Sequence, residues 1–166
     1  MKEEIINGIK YRLDEENLTA EVIRKDEYKD CIIIPEAVVF NELTYRVTSI
    51  GMGAFYGCES LTAITIPNSV TIIEDSAFHD CKNLSSITIP ESVEIIGDSA
   101  FAYCESLKVI AIPNSVKYIG DRAFFCCSSL AVITFQGAAP WMKGIGLGDN
   151  WHFGSPAKIT IVPTVL

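Results

Sequence analysis

The chain has 166 residues and a formal net charge of −8, which is enough length for one domain with its own core. Nucleic acids and anionic membrane surfaces attract clustered Lys and Arg, so the acidic balance argues against both as partners. No stretch approaches the roughly 18 apolar residues of a spanning helix, and we predict no transmembrane segment.

Residues 1–31 are predicted to form an N-terminal cap. Apolar and polar residues alternate in Ile9–Leu13 and again in Leu18–Ile23, as in half-buried strands. Asp14–Asn17 between them is rich in turn-forming residues, so the two strands should form a β-hairpin. Such a cap would hide the apolar end of a repeat array. A hairpin that binds a partner is the alternative.

Residues 32–60 are predicted to form a first coil that carries an insertion. Ile32–Pro35 resembles a segment, Ile-x-Ile-Pro, that recurs further along the chain. The insertion, residues 37–46, contains Phe40–Tyr45, for which we predict a second small hairpin with its turn at Asn41 and Glu42.

Three consecutive copies of a 23-residue unit fill residues 61–129 and begin at Leu61, Leu84 and Leu107. A fixed period between about 20 and 50 residues indicates a solenoid in which each unit forms one coil. Leu and two alternating Ile in each unit predict a strand with one buried face. The Pro that follows ends the strand because it cannot donate the next ladder hydrogen bond.

The second half of each unit predicts a return across the far side and then a tight turn. We expect Gly97 and Gly120 to adopt positive φ in that turn. Asp75, Asp98 and Asp121 stand where they could cap a short helical turn that carries an Ala-Phe pair. Alternatively, these aspartates merely face water in a loop.

The recurring pattern L-x-x-I-x-I-P-x-S-V-x-x-I-x-x-x-A-F-x-x-C resembles the BspA-like leucine-rich repeats of bacterial proteins. The resemblance implies an α/β solenoid: a right-handed leucine-rich-repeat superhelix with a parallel β-sheet on one face and short helical turns opposite. The crossover rule for parallel strands predicts the same hand. Family members are mostly surface or secreted proteins that act in adhesion and protein binding. The first residues show no signal peptide, so a cytoplasmic location is the alternative to the cell surface.

Residues 130–166 are predicted to form a partial repeat and a C-terminal cap, which completes a single domain over 1–166. Leu130–Phe135 begins a further coil, and Lys158–Pro163 is expected to add a last strand. Between them, Trp141 and Trp151 stand among glycines. These aromatic residues could stack on sugars, anchor a protein or plug the open end of the core.

Four of the six cysteines recur every 23 residues, at Cys58, Cys81, Cys104 and Cys127. Equivalent residues of a solenoid stack about 4.8 Å apart with parallel Cβ vectors, which disfavours disulfides. We therefore predict a column of buried free thiols that pack as small apolar groups. A zinc site is the alternative, and only the adjacent Cys126 and Cys127 suggest one.

No catalytic motif is present: the chain contains two histidines and neither a nucleophile elbow nor a phosphate-binding glycine loop. We predict a non-enzymatic protein with neither cofactor nor metal. The outward strand residues form the expected binding face, with candidate contacts at Thr62, Thr65, Ser86, Thr88, Lys108, Val109 and Thr134. An unidentified protein partner, through direct contact or adhesion, is the leading hypothesis. A solvated face without a partner and a carbohydrate-binding module that uses Trp141 and Trp151 on surface glycans are the alternatives.

Overall fold

The computed structural model describes residues 1–136, 146–147, 150, 152 and 154–162, and it consists of short strands joined by turns. The strands, in chain order, are β1 (Lys2–Ile6), β2 (Ile9–Asp14), β3 (Thr19–Val22), β4 (Asp30–Ile33), β5 (Ala37–Phe40), β6 (Leu43–Ile50), β7 (Leu61–Thr65), β8 (Ile72–Ile73), β9 (Ser86–Thr88), β10 (Ile95–Ile96), β11 (Val109–Ile112), β12 (Tyr118–Ile119), β13 (Val132–Gln136), β14 (Gly146–Leu147) and β15 (Lys158–Val162).

These strands build a β-solenoid of about five turns with parallel pairing between successive coils. We call one side the repeat wall; it contains two three-stranded sheets, β4-β7-β9 and β11-β13-β15. We call the other side the return wall; it runs β6-β8-β10-β12-β14. The predicted parallel sheet is therefore present, but it is divided between β9 and β11, and the return segment forms a second sheet.

The N-terminal cap extends the return wall. β2 and β3 form the predicted antiparallel hairpin, and β3 pairs in parallel with β6. A further strand that was not predicted, β1, pairs with β2 through a turn at Asn7 and Gly8, both with positive φ. Asn-Gly is a strong hairpin signal that could have revealed this strand.

The insertion in the first coil is a hairpin, as predicted. β5 pairs antiparallel with β6, and the register ends at Phe40 opposite Leu43. Asn41 and Glu42 form the turn between them with φ of 47° and 66°. Two successive positive φ angles are the mark of the type I′ turns that match strand twist.

Inside each coil, the alternating isoleucines of the repeat wall point into the core. Ile64 lies opposite Ile87 in one sheet, and Ile110 lies opposite Ile133 in the other. All four are at most 8% exposed. Each coil thus buries its apolar side chains against the equivalent residues of its neighbours, as a repeat array requires.

The short helical turns expected opposite the sheet are not present, since no helix occurs in the described residues. An arc of turns closes each coil instead, over residues 51–58, 74–81, 97–104 and 120–127. Ser99 and Tyr103 in one arc have φ of 53° and 59°, outside the helical region. The N–H groups of Ser99, Phe101 and Tyr103 donate to the next coil at 2.8 Å, whereas a helix would use them internally.

The expectation of positive φ at Gly97 and Gly120 is wrong. The left-handed conformation falls two residues later, at Ser99 and Arg122. A Cβ on Gly97 would lie 2.6 Å from the Asp75 backbone nitrogen, so close approach of the preceding coil is what requires glycine.

The repeated aspartates also have a different role from the predicted helix cap. The Asp98 N–H donates to Asp75 Oδ1 at 2.8 Å, and the Asp121 N–H donates to Asp98 Oδ1 at the same distance. The carboxylates of Asp75 and Asp98 therefore each join their own coil to the next one.

A column of phenylalanines forms the centre of the core beneath the arcs. The rings of Phe55, Phe78, Phe101 and Phe124 stack with centroid separations of 5.0, 5.2 and 5.3 Å. Tyr28 from the cap covers the first ring at 4.6 Å. At its N-terminal end the column is therefore closed by Tyr28, which belongs to the cap and not to a repeat.

Candidate binding surfaces

The outer surface of the repeat wall, which we call the repeat face, presents the residues that the sequence analysis selected. The side chains of Thr62, Thr65, Ser86, Thr88, Lys108 and Val109 are exposed, and that of Thr134 is half-buried. Strand pairing sets Thr65 beside Thr88 in one sheet and Ala111 beside Thr134 in the other. The selected residues thus share one face, divided at the break between β9 and β11.

The repeat face differs in charge from the rest of this acidic chain. The strands β7, β9, β11, β13 and β15 contain no Asp or Glu, although the chain has 21 acidic residues. Lys108 is exposed beside β11, and Asp30 at the start of β4 is the acidic exception. The exposed apolar side chains include Ile33 at 73% and Val109 at 54%. The face is therefore almost free of carboxylates, carries the exposed Lys108 and Lys158, and otherwise presents small polar and apolar side chains.

The opposite side of the solenoid carries the charge. Glu94 and Lys117 form an exposed ion pair of 2.7 Å on the return wall. The exposed Asp75, Asp98 and Asp121 follow in the arcs. Desolvation, followed by the nearby carboxylates of Asp98 and Asp121, raises the pKa of the Tyr118 hydroxyl on this wall. A partner that avoids carboxylates would therefore prefer the repeat face.

Trp141 and Trp151, the aromatic candidates of the C-terminal cap, lie outside the described residues. Their assignment to a binding site or to a plug of the core stays a prediction.

The structure reveals an aromatic row that the sequence analysis missed. On the outside of the arcs, Tyr56 stacks on His79 at 4.8 Å, His79 meets Tyr103 at 5.3 Å, and Tyr103 meets Phe125 at 5.5 Å. Arg24 covers the free side of Tyr56, with its guanidinium 5.1 Å from the ring centroid. The row escaped notice because Tyr103 stands one position later in its unit than the other three rings, where Ala102 interrupts the column.

The aromatic row is held together by its own contacts. Tyr56 and His79 lie within 6° of parallel and cover each other's faces. Burial lowers the pKa of His79, although Asp80 opposes this shift. The pair therefore presents ring edges to solvent, whereas stacking on a sugar needs an open face. This arrangement favours a packing role for the row.

The repeated thiols are free and buried, as predicted. Cys81, Cys104 and Cys127 also donate hydrogen bonds: Cys104 Sγ to the Phe78 carbonyl at 3.2 Å, and Cys127 Sγ to the Phe101 carbonyl at 3.0 Å. Burial raises the pKa of both thiols, to about 12 for Cys127. Among the described residues, no group of three His, Cys, Asp or Glu side chains is placed to hold a metal ion.

Comparison with solved structures identifies bacterial repeat proteins. A leucine-rich repeat protein from Bacteroides ovatus is 33% identical, with a TM-score of 0.82 over 96% of this chain and 41% of its own length. A leucine rich cell surface protein from Faecalibacterium prausnitzii is 23% identical, with a TM-score of 0.63 over 99% of this chain and 55% of its own. The pneumococcal vaccine antigen PcpA is 22% identical, with a TM-score of 0.65 over 97% and 50%.

This chain therefore spans 41% to 55% of the length of these three proteins. No curated protein matches it. In the part of the chain that the structure describes, no helix has the length and apolar character needed to cross a membrane. The family model of the BspA type leucine rich repeat region matches residues 21–140 with six copies. With its 23-residue motif and its stacked parallel coils, this chain belongs to the BspA-type leucine-rich-repeat family.

Proposed function

We propose that this chain is a non-enzymatic binding module that holds a protein partner on its repeat face. Leucine-rich-repeat proteins generally act as binding modules. The observation that carries the proposal is the charge pattern: five strands of the repeat wall lack carboxylates in a chain with net charge −8. Charged residues are depleted at the centre of protein interfaces because their desolvation is costly.

The partner that fits this face is flat or extended and presents apolar and hydroxyl groups. Thr65, Thr88 and Val109 offer methyl groups and hydroxyls without a deep pocket. Interfaces without a large aromatic or Arg at the centre bind weakly for their area. We therefore expect a contact of modest affinity that gains strength when several copies act together.

We also propose that the contact takes place at a bacterial cell surface, where the protein acts in adhesion. The support is the Faecalibacterium prausnitzii protein of the same fold, which is a leucine rich cell surface protein. Weak multivalent contacts suit adhesion because avidity multiplies modest affinities. Surface labelling of cells that express the full-length protein with a membrane-impermeant reagent tests the location.

Thr88→Glu tests the repeat face, because it places a carboxylate at the centre of the acid-free surface. Thr71→Glu is the matched control, since Thr71 is an exposed threonine of the return side. Partners are first identified by capture from surface proteins and glycans with the wild-type chain, and affinities are then measured with each variant. Thr88→Glu should weaken binding at least about tenfold and Thr71→Glu should not, which corresponds to roughly 1.4 kcal/mol. Equal affinities for the two variants would refute the assignment of the face.

The alternative is a carbohydrate-binding module that uses Trp141 and Trp151. Tryptophan rings bind sugars by stacking when their faces are open. Binding to a glycan array that disappears in Trp141→Ala or Trp151→Ala, and persists in Thr88→Glu, would select this alternative. Tryptophan emission that is blue-shifted and resistant to iodide would instead place both side chains inside the core.

A further inference from the structure

The two walls of the solenoid end differently at the N-terminal side. The return wall continues past β6 into three further strands, β3, β2 and β1. The repeat wall stops at β4, which pairs with β7 on one side and is the terminal strand of its sheet among the described residues. The cap therefore protects one wall and leaves an open sheet edge on the other.

The peptide groups of β4 alternate between its neighbour and this open edge. The Ile34 N–H donates to the Thr65 carbonyl at 3.1 Å. The backbone N–H and C=O groups of Ile34 and Ile32 therefore face β7. In a parallel ladder, alternate residues direct their N–H and C=O groups to opposite sides. The N–H and C=O groups of Cys31 and Ile33 therefore point away from β7, as the unpaired backbone groups of an edge strand do.

The core beneath β4 is also incomplete. Ile64, Ile87, Ile110 and Ile133 form the inward column of the repeat wall and are between 0% and 8% exposed. Ile32 lies opposite Ile64 in the same column but is only partly buried. One more strand with an aliphatic side chain at this position would cover Ile32 as each coil covers its neighbour.

The open edge borders a hollow between β4 and the cap. This hollow has a volume of about 430 Å³, and its lining includes Gly8, Ile9, Tyr28 and Ile33. The charged side chains nearby already make contacts within the chain: Lys25 Nζ donates to the Gly8 carbonyl, and Lys29 forms an ion pair with Glu27 at 2.8 Å. The lining is thus mixed, with apolar side chains beside polar ones, and an uncharged segment would leave these polar contacts in place.

The shape of the cap determines whether an extended segment or a second folded copy of the chain can reach the edge of β4. Its three strands extend roughly 15 Å beyond β6 at the usual strand spacing. A second solenoid would have to bring a whole wall past this projection to reach β4. A single extended segment needs only the width of one strand. The projecting cap therefore excludes a second solenoid from the edge of β4 and leaves room for an extended segment.

We propose that the open edge of β4 binds an extended peptide segment of a protein partner by strand addition. The segment pairs with the outward peptide groups of Cys31 and Ile33 and sets a β-branched aliphatic residue against Ile32. Main-chain hydrogen bonds supply affinity and the buried side chain supplies specificity in such contacts. This site is the edge of the wall and not its outer face; Ile33 contributes a side chain to that face, but the strand addition does not depend on a partner bound there.

The probe is the acetylated and amidated heptapeptide Leu-Ser-Ser-Ile-Thr-Ile-Pro, a copy of residues 84–90, which pair with β7 within the solenoid. The control peptide has the same sequence with Asp in place of the first Ile. Binding is followed by amide chemical shifts of the isotope-labelled chain under reducing conditions. The Ile-containing peptide should shift and protect the amides of Cys31 and Ile33, and the Asp-containing peptide should do neither.

Two substitutions at one position separate backbone pairing from apolar contact. Ile33→Pro removes the outward N–H, and a proline is tolerated on an edge strand when its nitrogen faces solvent. Ile33→Thr keeps the N–H and removes the exposed aliphatic side chain. We expect Ile33→Pro to weaken peptide binding at least about tenfold and Ile33→Thr to change it less than about threefold. If Ile33→Pro fails to fold, Cys31→Pro removes the other outward donor.

Absence of amide shifts at millimolar peptide, or equal binding by Ile33→Pro and Ile33→Thr, would overturn the proposal. Self-association in sedimentation that disappears in Ile33→Pro would assign the edge to a second copy and overturn it as well. Thr88→Glu should leave peptide binding unchanged, so failure of this site and failure of the repeat face are distinguishable.

Discussion

The repeated cysteine holds two coils together through its thiol. Cys81 Sγ donates to the Phe55 carbonyl at 3.0 Å, and Cys104 Sγ reaches the equivalent carbonyl of Phe78. The thiol therefore fills a small apolar space and also satisfies a buried acceptor. An alanine at this position would leave that carbonyl with fewer donors, while a disulfide between neighbours would break both contacts.

The buried thiols should make the stability of the protein fall at alkaline pH. Burial raises the pKa of Cys104 well above that of a thiol in the unfolded chain, about 8.5. Above that value the unfolded chain releases a proton that the folded protein keeps, so the free energy of unfolding decreases as pH rises. Urea unfolding between about pH 7 and pH 10 should show a slope that Cys104→Ala reduces by up to about 1.4 kcal/mol per pH unit.

Cys31→Ala is the control for this measurement, because the Cys31 thiol is exposed in the folded protein. Its removal takes away a thiol but no buried group, so the slope should fall less than in Cys104→Ala. Identical slopes for Cys104→Ala and Cys31→Ala would mean that the repeated thiols are not the buried groups described above.

At the scale of elements, each coil closes with an arc and not a helix, because successive N–H groups donate alternately within the arc and to the next coil. Ala102 N–H donates within its own arc to Ser99, while Phe101 and Tyr103 donate to the next coil. Two left-handed residues in each arc make this alternation possible, at a cost of roughly 1–2 kcal/mol each for a residue other than glycine. The ladder between coils offsets this strain.

Gly97→Ala should destabilise the arc by about 3 kcal/mol, the upper end of what overpacking costs. The new Cβ would lie 2.6 Å from the Asp75 nitrogen and 2.7 Å from the Glu74 carbonyl carbon, both backbone atoms that cannot move aside cheaply. Urea unfolding measures the change. Glu74→Ala, at the same position of the preceding coil, already has room for a Cβ and should cost less than about 1 kcal/mol. A smaller loss for Gly97→Ala than for Glu74→Ala would contradict the close packing of coils.

Strands and hairpins were predictable here because their signals are local. Ile-x-Ile-Pro marks the repeat wall, and Asn41-Glu42 lies between two strands of the correct length. The arc was not predictable, because Ser99 and Arg122 carry no preference for positive φ that would distinguish them from helical residues. The open edge of β4 also depends on which wall the cap extends, and no single residue in the cap specifies that choice.

At the scale of the molecule, stability passes from coil to coil through the phenylalanine column and ends at the cap. Tyr28 covers Phe55, and its hydroxyl accepts the Lys10 N–H at 2.9 Å and donates to the Ile23 carbonyl at 3.0 Å. One side chain thus joins the core column to the hairpin that covers it. In an array with nearest-neighbour contacts, loosening this joint should affect the cap far more than the central coils.

Tyr28→Phe tests this description, with Tyr11→Phe as its match. The Tyr28 hydroxyl is buried and makes two hydrogen bonds, so its loss should cost about 1–3 kcal/mol. The Tyr11 hydroxyl is buried in the same cap but has no hydrogen-bond partner among the described residues, so its loss should be neutral or stabilising. Hydrogen exchange should speed up at the Lys10 amide and along β2 and β3 in Tyr28→Phe, while amides near Phe101 keep their protection. Equal effects of the two substitutions, or faster exchange throughout the solenoid in Tyr28→Phe, would show that the cap is not a separate cooperative unit.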